Sequence, residues 1–172
     1  NSYGESSRIA NHPLGNNRIH YNDETGQKSF GITHDYRLGM NYAFSKNHRL
    51  DVAYTGHWDK RCSNSNTTGS SISGMHHDSH EYLHNVDVNY SLPFGLTLNG
   101  SYTYYRTPQQ QALDGTMHTD ESMPETERNL ISGSEQTINK WMFTADQTHS
   151  LAHGWGLSYG VKGQFTSNKS YQ

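Results

Sequence analysis

Apolar and polar side chains alternate along this chain with a period of two. From Phe30 to Phe44 the even positions carry Phe30, Ile32, Tyr36, Leu38, Met40, Tyr42 and Phe44, while Thr33, Asp35, Arg37 and Asn41 hold odd ones. Successive side chains of a strand point to opposite faces, so this segment predicts a strand with one greasy face and one wet face. It is also long. A strand of a globular domain runs about 5 to 6 residues, whereas one that crosses a bilayer at a tilt needs roughly 9 to 11. The rhythm therefore points to a sheet that meets lipid on one side and water on the other.

The design returns in short-turn pairs. The strand over Lys28 to Phe44 turns at Ser45–His48 and comes back over Arg49 to Lys60, with Leu50, Val52, Tyr54 and Trp58 on one face. A second pair sets Tyr82, Val86, Val88, Tyr90 and Leu92 beside Leu96, Leu98, Tyr102 and Tyr104, joined at Pro93, Phe94 and Gly95. A third sets Trp141, Phe143, Ala145 and Leu151 beside Leu157, Tyr159, Val161 and Phe165, with His149 falling on the apolar side. Parity supports the pairing. Partners must share a face, so two strands whose apolar positions have equal parity need an odd number of residues between the paired positions. Phe44 with His48 or Leu50, Leu92 with Leu96, and Leu151 with Leu157 all satisfy this.

Between the pairs, Arg61 to His77 and Pro108 to Thr137 are rich in Ser, Asn, Thr and Gly, with Gly115, Pro124 and Gly133 as breakers, and read as long loops. Residues 1–27 read as a polar leading loop, and residues 28–172 as a β segment with hairpins at 28–60, 80–107 and 138–168. Tight turns that alternate with long loops are the asymmetry of transmembrane barrels. The expected fold is all-β, an antiparallel up-and-down meander of about six long strands forming part of a larger transmembrane β-barrel.

Composition narrows the classes. Of the 172 residues 31% are hydrophobic and mean hydropathy is -0.96, too little aliphatic material for a thick two-sided core. Aromatic and β-branched alternation argues against disorder. No apolar run approaches the roughly 20 residues of a spanning helix. A net charge of -3 without basic runs argues against nucleic acid as a partner. The single cysteine, Cys62, has no partner for an internal disulfide. A chain that opens at Asn1, with no secretory leader, suggests a processed protein or an excised piece.

Candidate chemistry is sparse. No nucleophile elbow, paired-carboxylate arrangement or phosphate-cradling glycine loop is present, so no catalytic residue is expected and the chain is read as a non-enzyme. The densest histidine group is His76, His77, Asp78, His80 and His84. On one strand His80 and His84 would stand about 13 Å apart, too far for one ion, and His76, His77 and His80 would converge only if the loop folded back. Solvated loop histidines are the expectation, with no metal and no cofactor, and no residue can be assigned to a ligand. The wet-face charges Asp35, Arg37, Arg49, Asp51, Asp87, Lys140, Asp146 and Lys162 are expected to meet one another or water. Aromatics gather at both ends of the spans: Tyr42, Phe44, Tyr90, Phe94 and Trp155 at the turn side, and Phe30, Trp58, Tyr104, Tyr105, Trp141 and Phe165 toward the loops. They read as interfacial girdles, or, in the competing reading, as the aromatic core of a soluble sandwich.

Three stretches, HDYRLGMNYAF (34–44) with KNHRLDVAYTG (46–56), LPFGLTLNGSYTYY (92–105) and KWMFTADQTHSLAHGWGLSYGVKGQFTSN (140–168), resemble the barrel part of TonB-dependent receptor-like outer-membrane proteins of Gram-negative bacteria. The resemblance covers residues 28–172 and rests on alternation and turn residues. It implies residence in the outer membrane, contact with its lipid, and a part in uptake of an unidentified nutrient. Capture by the outer loops would be followed by passage through a polar lumen, with TonB-type coupling through parts that these residues do not contain. A structural or adhesive outer-membrane β-protein and a soluble β-sandwich binding module remain the alternatives.

Overall fold

A computed structural model describes residues 2–14, 17–69, 71–117 and 126–172. They form one antiparallel sheet of seven strands: β1 (Ser2–Leu14), β2 (Asn17–Ser45), β3 (His48–Gly69), β4 (Ser71–Ser91), β5 (Leu96–Met117), β6 (Thr126–Ser150) and β7 (Gly156–Tyr171). Spatial order follows chain order from β1 to β7, so every connection joins neighbours. The expected all-β up-and-down meander is the fold. Among the described residues β1 and β7 pair on one side only, and the sheet is open.

The strands are longer than the apolar alternation. Where a leading loop was expected over residues 1–27, the described residues form β1 and the first part of β2, paired from Ser2 with Ser29 to Leu14 with Asn17. Most of the loop expected over Arg61–His77 continues β3 and β4, with Asn66 opposite Gly74 and Asn64 opposite His76. In the segment Pro108–Thr137, Gln111 stands opposite Ser132 and Thr116 opposite Glu127; Pro124 lies outside the described residues. Seven strands therefore replace about six. Backbone hydrogen bonding needs no apolar residue, and Ser, Thr and Asn run through these extensions as readily as valine runs through the span.

Pro108 leaves a local mark. It has no N–H to give to a neighbour, and the β4–β5 pairing passes from Ser79–Gln109 to Tyr82–Arg106 without continuous bridges between.

The short turns differ in construction. Ser45 faces His48 after a bulge that leaves Phe44 out of the register. At Pro93–Gly95, Leu92 N–H donates to Leu96 O at 2.8 Å and Gly95 N–H to Leu92 O at 3.2 Å. This turn is tied to β6, because Thr148 N–H donates to Gly95 O at 3.0 Å and the Gln147 amide to Phe94 O at 2.7 Å. Between β6 and β7 a single 3-10 turn, Ala152–Gly154, is closed by Leu151 N–H to Trp155 O at 2.7 Å. Leu157 consequently pairs with His149, two residues from the expected partner Leu151 but on the same face.

Gly95 has φ +84, and a Cβ there would run into the Thr148 carbonyl oxygen. Replacement by alanine combines left-handed strain with a backbone collision. Gly95→Ala is expected to destabilise the protein by about 1–3 kcal/mol in urea unfolding from detergent micelles, against roughly 0.5 kcal/mol or less for Gly4→Ala, where no atom stands near the new methyl.

Candidate functional site

The two faces of the sheet are the candidate functional surfaces, and the register builds them. From β2 to β7 the pairing lines up Tyr42, Leu50, Tyr90, Leu98, Ala145 and Val161 in one row across six strands. The next row toward the long-strand ends is Met40, Val52, Val88, Gly100, Phe143 and Gly163, and the one after it is Leu38, Tyr54, Val86, Tyr102, Trp141 and Phe165. Aromatic residues and histidines then enter, with Tyr36, His84 and Tyr104 in the fourth row and His34, Trp58 and Tyr82 in the fifth.

From His34 to Phe44 the band measures about 33 Å along the strand, or about 25 Å normal to a bilayer at a tilt near 40°. That is about the height of the apolar belt of a transmembrane barrel.

This face has no protein cover. No apolar side chain is buried among the described residues; Leu38 is 68% exposed, Val161 70%, and even Val88 and Leu98, in the middle of the sheet, 36% and 38%. The dry second layer that a soluble sandwich requires is absent from the described structure. Between Phe44, Trp141 and Phe143 the small residues Gly100, Ala145 and Gly163 leave an apolar groove of about 800 Å³.

Four histidines of the apolar face each engage an aromatic. His48 stacks on Phe44 at 4.4 Å, and its Nε2 lies 2.6 Å from the Tyr90 hydroxyl. His149 meets the Tyr159 hydroxyl at 3.1 Å, so the residue that interrupted the pattern of β6 is accommodated at the turn side. Toward the other edge, His34 stacks on Trp58 at 5.3 Å, and His84 lies 2.7 Å from the Tyr54 hydroxyl and stacks on Tyr104. An imidazole with an aromatic neighbour presents a flat apolar body and a polar edge, the property that favours Trp and Tyr at a lipid–water boundary. The Tyr36 ring lies over Gly56, where any side chain would displace it.

The sequence expectation for the girdles needs two corrections. Tyr105 pairs with Leu83 and Ile138 and so belongs to the wet face, because consecutive residues of a strand cannot share a side. Trp141 and Phe165 sit opposite each other in a row within the band, and Phe30 lies beyond it, opposite Cys62.

The reverse face is a polar network. Asn41, Asp51, Asn89, Asn99, Thr144 and Lys162 form a row at one height. Within it the Asn41 amide donates to Asp51 at 2.6 Å, Asn89 to Asn99 at 2.7 Å, and Asn99 to Thr144 at 3.0 Å. Arg49 Nε donates to the same Asp51 oxygen at 2.8 Å, and Asp35 meets His57 Nδ1 at 2.6 Å. Of the expected wet-face charges, Arg37, Arg49, Asp51 and Asp87 line a shared trough of about 490 Å³ with Asn41 and Asn89. Further along this face Asp59, only 3% exposed, accepts from Thr33 at 2.5 Å and from Arg61 at 2.8 Å.

At the edge of the band on the apolar side, Arg106 of the fifth row grips Glu135, one row further out, with two bonds, Nε to Oε1 at 2.9 Å and Nη2 to Oε2 at 2.8 Å. The guanidinium bond holds the Glu135 carboxyl below the usual carboxylate range.

No protein-family model and no curated protein matches the sequence. Among solved structures, the ferric preacinetobactin receptor BauA of Acinetobacter baumannii aligns at 10% identity and TM-score 0.36, covering 98% of this chain and 34% of that one. The ferric yersiniabactin uptake receptor FyuA of Yersinia pestis aligns at 8% identity and TM-score 0.32, covering 98% and 29%. This chain thus spans about a third of the length of either receptor. Likeness at these scores carries no argument about activity.

Two outcomes are expected. With the protein reconstituted in lipid, Val88→Arg, in the second row of the apolar face, should destabilise it by about 2–4 kcal/mol in denaturant titration, while Asn89→Arg on the wet face should cost well under half as much. Because the folded Glu135 pKa is depressed, the contribution of its pair with Arg106 is present above the unfolded carboxylate pKa and lost as pH falls through the lower folded value. In a carboxyl-carbon NMR titration Glu135 should titrate below ordinary glutamates, and Arg106→Ala should return it to the ordinary range.

Proposed function

We propose that this chain is a wall segment of an outer-membrane β-barrel, in a TonB-dependent receptor-like protein that takes part in uptake of a nutrient or complexed ligand. The observation that carries the reading is the pair of faces: an apolar band about 25 Å high with no protein cover, backed by a hydrogen-bonded polar row at the same height. Water and solute would pass along the polar face, and outer-membrane acyl chains would cover the other.

At the height of the band the open edges are β7 and β2 from Phe30 onward, which β1 does not reach, and they call for further strands or a second copy to close the wall, since an unpaired edge in hydrocarbon would strand its backbone polar groups. Capture of the ligand, first assigned to outer loops at Arg61–His77 and Pro108–Thr137, passes in this reading to the strand extensions that occupy most of those segments. Coupling to a TonB-type partner would run through other parts of the protein, and the segment itself would perform no catalysis.

Fluorescence quenching by lipid tests the reading. Reconstituted in phosphatidylcholine bilayers with brominated acyl chains, Trp141 in the apolar band should be quenched strongly and Trp155, in the turn between β6 and β7, weakly. A monodisperse, folded monomer in detergent-free buffer, with no lipid quenching of Trp141, would refute it.

A further inference from the structure

On the apolar-side face, beyond the band, the extended strands bring Cys62 to His76 and Asp78, two members of the group that the sequence singled out. Cys62 of β3 pairs directly with Asp78 of β4, and His76 stands two residues before Asp78 on the same face, opposite Asn64. Their ligand atoms, one each from a thiol, an imidazole and a carboxylate, all lie within 4.8 Å of one another.

The imidazole is already oriented. His76 Nδ1–H donates to Asn64 Oδ1, and this bond turns Nε2 toward Asp78 Oδ2 at 2.9 Å. A hydrogen bond that fixes one ring nitrogen while the other faces a shared centre is the outer-sphere arrangement of metal-bound histidines. The Cys62 thiol is hydrogen-bonded to Asp78. The carboxylate therefore joins the two other donors and stands between them. Two residues along the same face, His80 carries a buried Nδ1 with no hydrogen-bond partner, a further imidazole beside the group.

We infer that Cys62, His76 and Asp78 form a binding site for a zinc-like divalent transition metal, with a fourth position open to water or an added ligand. Thiolate with imidazole suits a borderline-soft ion, whereas the oxygen-only preference of calcium or magnesium does not fit the donor set. Metal bonds of about 2.0–2.3 Å need the three atoms somewhat closer than they stand, a closure that χ rotations can supply. On loading, the Cys62 S–H bond breaks and a metal–sulfur bond forms; the thiol proton and the proton shared between His76 Nε2 and Asp78 pass to solvent. Asp78 supplies a carboxylate oxygen, and no electron is transferred.

The expectation of no metal site weighed the group His76, His77, Asp78, His80 and His84, without Cys62, on a segment read as a loop. The structure supplies a different triad because β3 and β4 remain paired through that segment.

Cobalt(II) titration of the full chain, reduced and folded in detergent, tests the assignment. A saturable 1:1 complex with thiolate-to-cobalt charge transfer in the near ultraviolet and visible bands of low-coordinate cobalt is expected, displaced by zinc. Cys62→Ser should abolish the charge-transfer band, His76→Ala should weaken binding at least tenfold, and His77→Ala, on the opposite face, should leave both unchanged. Retention of the wild-type spectrum and affinity in Cys62→Ser, or absence of any saturable cobalt signal from a chain with the wild-type β-sheet circular dichroism, overturns the site. These readouts do not depend on membrane insertion, so they separate the metal site from the barrel reading.

Discussion

Unbroken register is the constraint on which this structure depends. Over the apolar band each pair of neighbouring strands keeps a single alignment, so a residue's parity in β2 determines its face and height in every later strand. One slipped residue in β4 would move Val86, Val88 and Tyr90 to the polar side and put Asp87 and Asn89 on the apolar one. The rows exist only because five successive pairings agree. The bulge at Ala43–Ser45 lies at the turn end of the band, where a change of alignment leaves the rows intact.

The hydrogen-bonded polar face reinforces that agreement. Asn41–Asp51, Asn89–Asn99 and Asn99–Thr144 each join neighbouring strands at equal height, and a slip would break all three. Such bonds are individually worth about 1 kcal/mol, but their geometry selects one alignment. Apolar residues on the reverse give little comparable discrimination, because Leu, Val and Tyr neighbours tolerate exchange. Specificity of alignment thus comes largely from the wet side, and the other side supplies the apolar surface.

Much of the fold was legible from sequence because alternation of apolar and polar residues records the faces directly. Parity placed Leu92 with Leu96, and it put Leu157 on the correct face although its partner is His149. What escaped was strand without a greasy face. Residues such as Ser63–Asn66 and Gln109–Gln111 are polar on both sides, so their periodicity is invisible and they imitate loops. The same blindness concealed the triad of Cys62, His76 and Asp78, which requires knowing that Asn64 faces His76. Tyr105 was misplaced for a simpler reason: neighbouring aromatics were grouped by composition where strand geometry separates them. The histidines at His48 and His149 looked like blemishes until their aromatic partners were in view.

The overshoot of β3 and β4 past the apolar band has a mechanical consequence. From Asp59 to Gly69 and back from Ser71 to Glu81 the two strands run on for about 35 Å, mostly hydrophilic on both sides and flanked by β2 and β5 over most of that length. A tether of that length without hydrogen bonds would sweep a broad volume and lose its entropy whenever something docked on it. Strands braced on both sides have surrendered that freedom during folding, so this end of the sheet offers a surface already shaped. Changes of residue along it can alter what it touches while the anchoring portion below stays undisturbed.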